Sequence, residues 1–278
     1  VSDRRFLAAN MRVADAALRG RFEAPAYSEG TPLRINVPQV DLCRAPQGRR
    51  DKQMLLGQGF RVLERHGGWA FGVDMTDGYV GYLPEAALAD AAAPTHRISL
   101  RSAHSYCAAD FKSRETGLLS FLSAVTVTAE ANGFHRTEQG YIAAQHLTPA
   151  KRQMPDIAAT AEMFLGAPYL WGGNSGTGID CSGLVQMALW AAGRACPRDS
   201  DLQEAQLGTH LPEDAPLRRG DLIFWAGHVG MMLDAVTLIH ANAHHMAVAT
   251  EPLAEAAARI GAREFGAVTA RRRLEPAP

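Results

Sequence analysis

The stretch Gly178-Ile179-Asp180-Cys181-Ser182-Gly183-Leu184-Val185-Gln186-Met187-Ala188-Leu189 decides how the chain is read. A cysteine follows a loop rich in glycine (Gly172, Gly173, Gly176, Gly178) and opens an apolar run, with Leu184, Val185, Met187, Ala188 and Leu189 at helical spacing from Cys181 to Ala192. A thiol at a helix N-terminus lies near the positive end of the dipole, which favours thiolate over thiol, so Cys181 is a candidate nucleophile with a depressed pKa. Its plainer role is that of a small core residue. The glycines favour the nucleophile, since small residues let a substrate backbone come close.

A cysteine nucleophile needs a base. His228, in Gly227-His228-Val229-Gly230-Met231-Met232, stands at the start of an apolar strand, where the sheet can fix its distance from the thiol while the ring reaches solvent. His240, in Leu238-Ile239-His240-Ala241, falls on a neighbouring antiparallel strand after the Asp234-Ala235 turn and can fix the tautomer of His228. His244 and His245 could join His240 as a metal cluster, but no carboxylate or thiol stands at ligand spacing around them in sequence. Gly172 to Gly178 is no phosphate loop, because no Lys-Ser/Thr follows. No metal or nucleotide cofactor is expected.

Upstream the texture differs. Leu33 to Val37, Met54 to Leu56, Phe60 to Glu64, Trp69 to Val73 and Tyr79 to Leu83 read as short strands between turn signals such as Pro38, Gly67-Gly68 and Asp77-Gly78. Ala89 to Pro94 forms a junction. A second run to about Leu147 carries Val125-Thr126-Val127-Thr128, the Asn132-Gly133 turn and Tyr141-Ile142-Ala143-Ala144, which echoes Tyr79-Val80-Gly81-Tyr82. Past Thr148, Pro155 to Leu165 reads as a helix capped by Asp156, and Leu222 to Trp225, His228 to Leu233, Thr237 to Ala241 and Met246 to Thr250 read as strands. The pattern is α+β, helices first and sheet afterwards.

The 278 residues hold 28 Lys+Arg against 29 Asp+Glu, a net charge of −1, which argues against nucleic-acid binding through overall field. Four cysteines without a C-x-x-C pair make neither a disulfide framework nor a zinc pattern, and Cys43, Cys107 and Cys196 read as core or surface residues. No run reaches the roughly 18 apolar residues of a membrane span or the apolar core of a secretory signal, so the expected location is the cytoplasm.

Pro168-Tyr169-Leu170-Trp171-Gly172-Gly173, Asp180-Cys181-Ser182-Gly183-Leu184-Val185-Gln186, Arg219-Gly220-Asp221-Leu222-Ile223-Phe224-Trp225, His228-Val229-Gly230-Met231 and Ile239-His240-Ala241 together resemble, in that order, the NlpC/P60 cysteine peptidases. The resemblance covers roughly Pro155 to Val248. It implies a papain-like α+β domain at 149–278, with Cys181 as nucleophile, His228 as base, His240 as the polar third member and Tyr169 near the oxyanion site. The upstream runs resemble bacterial SH3 domains, two small SH3-like β-barrels at 30–90 and 91–148, after a helical arm at 1–29.

This layout is similar to the γ-D-glutamyl-L-diamino-acid endopeptidases that recycle murein tri- and tetrapeptides. The resemblance implies recognition of a free N-terminal L-Ala where the first SH3 domain meets the peptidase. It carries over substrate binding to Asp180 and Ser182, to Asp199 and Ser200, and to Tyr79. Where relatives carry Gly-Glu this chain has Gly57-Gln58, so amine recognition is expected to rest more on Asp180; Gln58 and Tyr79 are also ordinary turn and strand residues of such a barrel. Competing readings are a secreted hydrolase of intact peptidoglycan and an inactive wall-peptide binding module. Three competent side chains at the catalytic positions argue against the last.

Overall fold

The structure is a computed structural model that describes residues 3–275. The chain divides into two compact units, Val1–Ala150 and Lys151–Pro278.

Strands dominate the first unit. A seven-stranded antiparallel sheet runs in the order Arg50–Leu55, Gln39–Cys43, Val80–Pro84, Trp69–Asp74, Gly59–His66, Thr31–Ile35 and Leu88–Ala89. Alternate residues of these strands, including Leu33, Ile35, Leu42, Met54, Phe60, Val62 and Leu83, turn inward and form one core with Tyr79. Gln39–Cys43 and Leu88–Ala89 are additions to the five strands read from sequence. Gln39–Cys43 alternates polar and apolar residues directly after Pro38, and that proline hid it as a turn.

A second core of Leu56, Ile98, Ala103, Leu119, Val125 and Ile142 lies beneath a three-stranded and a five-stranded sheet drawn from residues 96–149. The arm expected to be helical over residues 1–29 is not: from residue 3 it holds two two-residue strands and one 3-10 turn, Ala16–Leu18. Its polar side chains compete for the backbone, Asn10 accepting from the Arg12 and Val13 N–H groups and Asp15 from that of Ala17. Ala8 and Val13 of this arm pack on Leu63, Phe71 and Val80.

In the second unit four helices, α1 (Ile157–Glu162), α2 (Cys181–Ala191), α3 (Ser200–Gln206) and α4 (Leu253–Arg263), accompany a six-stranded antiparallel sheet. Its strand order is Thr209–His210, Ala270–Arg273, Leu222–Trp225, His228–Met232, Thr237–Asn242 and Ala247–Pro252. Helices do not all precede the sheet, because α4 lies between the last two strands in sequence. Its amphipathic stretch Leu253–Arg263 sends Ala256 and Ile260 into a core with Ile223, Trp225, Met232 and Leu238. α2 is instead buried along its whole length except at Trp190, so every turn contributes apolar area, at about 1.5–3 kcal/mol for each large side chain. Among the described residues no helix is long and apolar enough to cross a membrane.

Candidate active site

The start of α2 is fixed by Asp180. Its Oδ1 accepts the Gly183 N–H at 2.7 Å and the Ser182 hydroxyl at 3.3 Å, and its Oδ2 accepts the Gly172 N–H at 2.8 Å and Arg198 Nη2 at 2.7 Å. Arg198, only 1% exposed, also donates Nη1 to Ser182 Oγ at 2.7 Å. Four donors occupy the carboxylate that was expected to receive a substrate amine; in this structure Asp180 caps the helix that begins at Cys181. The buried Arg198 had no signal in sequence beyond its place beside Asp199-Ser200. Those two residues begin α3, Asp199 as its N-terminal flank.

The glycines before Cys181 also serve packing. A Cβ on Gly183 would come within 2.4 Å of the Gly173 carbonyl oxygen, and one on Gly173 within 2.5 Å of that of Gly178. The loop is laid directly on the helix, and this close backbone approach is why glycine stands there.

Cys181 is buried, with the backbone N–H groups of Val229 and Ser182 facing its sulfur. Val229 follows His228, so the strand that carries the expected base passes the Cys181 sulfur. His228 opens the strand after a two-residue turn at Ala226-Gly227, in which Gly227 has φ +97°, and Trp225 pairs with His228 across the hairpin. Met231 pairs with Ile239, which places His228 and His240 as diagonal neighbours on one face. His228 Nε2 lies 2.8 Å from His240 Nδ1, and Nδ1 of His228 is the nitrogen this bond leaves for a second partner.

The row of side chains continues to a residue that sequence reading missed. His240 Nε2 lies 2.7 Å from Glu251 Oε1, and the same oxygen accepts Arg259 Nη2 from α4 at 2.5 Å. Glu251 is distant in sequence and enters through strand pairing, Leu238 with Glu251 and His240 with Ala249. His240, Glu251 and His245 each offer a ligand atom, all within 4.8 Å of one another, so the fold supplies the carboxylate that sequence spacing did not show. Both ring nitrogens of His240 are already engaged and the Arg259 guanidinium sits on Glu251, which suits a proton relay better than a cation.

Burial sets the protonation states. His228 is 3% exposed and is enclosed by Trp225 and by Phe265, whose ring stacks on it at 5.5 Å. Desolvation, with His240 and Arg259 nearby, lowers its pKa to about 3. Desolvation likewise pushes the Cys181 thiol up to about 12, and the Asp180 charge adds to this. The expected depressed thiol pKa is therefore reversed. A helix dipole offers about 0.3–1 kcal/mol, under one pKa unit, whereas full burial can shift a group by about 3–5 units. Burial thus favours the neutral form of each group.

Tyr169 is half-buried, and its hydroxyl pKa is raised by burial and by the neighbouring Cys181 and Asp180, which places it at the same site. The two site residues expected in the first unit have structural positions. Tyr79 is 2% exposed in the core, with Lys52 Nζ 5.9 Å from its ring centre. Gln58 closes a turn by accepting the Leu55 N–H at 2.8 Å.

Residues 166–259 match the NlpC/P60 family and residues 42–88 the bacterial dipeptidyl-peptidase Sh3 domain. The γ-D-glutamyl-L-lysine dipeptidyl-peptidase of Bacillus subtilis (strain 168) is 34% identical over 137 residues, covering 44% of this chain and 46% of the relative. Dipeptidyl-peptidase 6 of Lysinibacillus sphaericus is 34% identical over 113 residues, covering 38% of this chain and 41% of the relative. The chain thus spans less than half the length of these curated relatives. The crystal structure of an NlpC/P60 family protein from Bacillus cereus ATCC 10987 superposes with a TM-score of 0.74 at 22% identity, over 88% of this chain and 100% of that one, a likeness of fold. The chain carries an NlpC/P60 domain at residues 166–259 and a bacterial SH3 domain at residues 42–88.

Proposed function

We propose that this protein is a cysteine endopeptidase that hydrolyses the γ-D-glutamyl–L-diamino-acid bond of murein peptides with a free N-terminal L-Ala, the diamino acid being lysine or diaminopimelate. The observation that carries the reading is Cys181 at the head of α2, with its sulfur facing the N–H of Val229, the residue beside a His228 already bonded to His240. In this reading the second unit is a papain-like α+β domain, and the two cores of the first unit belong to two SH3-like barrels, at 30–90 and 91–148. The name of the B. subtilis relative supports a γ-linked D-glutamyl substrate. We assign the reaction to peptides already released from the wall, in the cytoplasm.

Catalysis begins with transfer of the thiol proton to His228 Nδ1 as the sulfur attacks the γ-carbonyl carbon. The developing oxyanion takes the backbone N–H at the start of α2 and the Tyr169 hydroxyl. The tetrahedral intermediate collapses with cleavage of the C–N bond, and His228 returns its proton to the departing amine. Water, deprotonated by His228, then hydrolyses the thioester and restores the thiol. The neutral imidazole carries the lone pair that receives this proton. Substitution Cys181→Ala should abolish release of L-Ala-γ-D-Glu from L-Ala-γ-D-Glu-L-Lys or its diaminopimelate counterpart, followed by chromatography, without loss of fold. Unchanged release would remove Cys181 as nucleophile. Cleavage of intact murein in preference to the tripeptide would favour a wall hydrolase instead.

A further inference from the structure

We propose that Glu251, held by Arg259, is the positioning residue that fixes the tautomers of both histidines and so keeps the lone pair of His228 on Nδ1. The inference rests on the reading of Cys181 and His228 as nucleophile and base. It follows from counting protons on four ring nitrogens. The Glu251 carboxylate is flanked by Arg259 Nη2 at 2.5 Å and His240 Nε2 at 2.7 Å. Burial alone would raise its pKa, but the His240 and Arg259 hydrogen bonds outweigh that and hold it below the ordinary range. A carboxylate only accepts, so the contact at 2.7 Å requires the proton of His240 on Nε2.

His240 is fully buried, and desolvation lowers its pKa, so a neutral ring has that one proton and leaves Nδ1 as an acceptor. The 2.8 Å contact then requires His228 to donate from Nε2. A neutral His228 has no second proton, and its Nδ1 is bare. When Nδ1 takes the thiol proton the new imidazolium keeps its Nε2 hydrogen bond, and the Glu251 charge stands behind the relay. Without Glu251, His240 can hold its proton on Nδ1 and donate to His228 Nε2. The proton of His228 then sits on Nδ1, and the base is blocked.

The position has structural support from two directions. Strand pairing makes Glu251 a diagonal neighbour of His240, and α4 supplies Arg259, which also pairs with Glu264 and is thereby held against the strand. His245, the other ring near this carboxylate, donates its Nδ1–H to Asn242 Oδ1 at 3.0 Å and takes no part in the row.

The test uses the full chain with 15N-labelled histidine. In the wild type, ring-nitrogen spectra should show His240 and His228 both protonated on Nε2 and bare on Nδ1; the opposite tautomer in either ring overturns the proposal without recourse to any variant. Glu251→Ala should lower kcat by about 10–100-fold, the range for loss of a partner that orients a metal-bound histidine, with KM for L-Ala-γ-D-Glu-L-Lys little changed and the His228 tautomer altered. Glu251→Gln keeps an acceptor oxygen for His240 and should recover most of that loss. A Glu251→Ala enzyme with unchanged kcat, in a protein that Cys181→Ala inactivates, overturns the role of Glu251 alone. Full activity in Cys181→Ala overturns the catalytic reading beneath it.

Discussion

Each unit of the molecule buries a cation among carboxylates, and the two clusters are used differently. In the second unit Arg198 joins Asp180 and Ser182 on either side of Cys181. In the first unit Lys52, fully buried, reaches Asp74 at 2.8 Å and Asp77 at 2.5 Å. These carboxylates in turn accept the N–H groups of Thr76 and Tyr79, so this cluster ties down the turn that leads into Tyr79. Burial works against the Lys52 charge, but its two carboxylates outweigh it and raise its pKa. A buried charge therefore marks function only through what it touches: a helix head carrying a thiol in one unit, a strand-to-strand turn in the other.

The sharpest way to break this comparison is to remove both cations. Arg198→Met and Lys52→Met should each destabilise their unit by about 3–5 kcal/mol, because each leaves a buried carboxylate unpaired. Thermal unfolding and tripeptide hydrolysis should be measured on both. Only Arg198→Met should lower kcat in the protein that remains folded, since Asp180 then loses the partner that holds it on the α2 head. A comparable fall in kcat for folded Lys52→Met would erase the distinction.

Acid separates the units by sign. His228 has its folded pKa lowered from the ordinary 6.5 to about 3, so its stabilising burial is complete above about pH 6.5 and is lost progressively as pH falls toward 3. Asp74 goes the other way: burial and Asp77 raise its pKa despite Lys52, so its burial favours the fold at pH below the ordinary 3.8 and loses that effect as pH rises. The melting temperature of the second unit should drop between pH 6.5 and 3, and His228→Gln should flatten that drop. An equal slope in the variant would assign the acid sensitivity elsewhere.

The same contrast explains what could be read from sequence. Leu222–Trp225 follows from an unbroken apolar run and the helix from Cys181 from apolar residues at helical spacing, and the structure places both where the pattern does. His228 and His240 meet because a short turn dictates their register. Glu251 and Arg198 were invisible, since their partners lie on other elements and neither sits in a local pattern. Thiol protonation was misread because helix position is visible in sequence and burial is not. α4 carries its amphipathic period in Leu253–Arg263, directly after the strand signal of Met246 to Thr250.

Alkylation tests that misreading directly. With Cys181 pushed up to about 12 and buried, iodoacetamide at pH 7 should label the exposed Cys107 first, and Cys181 labelling should climb about tenfold per pH unit through pH 9 as its thiolate fraction grows. Mass spectrometry of peptides from a time course gives both rates. Selective labelling of Cys181 at neutral pH would show a thiolate–imidazolium pair and reverse the protonation states given above.

The smallest expected effect distinguishes turn chemistry from substrate binding in the first unit. Gln58 Oε1 accepts the Leu55 N–H at 2.8 Å, a bond that closes the turn between Arg50–Leu55 and Gly59–His66. Losing it in Gln58→Ala should cost about 0.5–1.5 kcal/mol, the ordinary worth of one such hydrogen bond. KM for a tripeptide with a free amine should not move if this is the whole role of Gln58. An increase in KM for the free-amine peptide, absent for its N-acetylated form, would give Gln58 a part in amine recognition. Gln58→Glu sharpens the result: the carboxylate keeps an acceptor for Leu55, so any gain in affinity for the free amine reports added charge rather than a repaired turn.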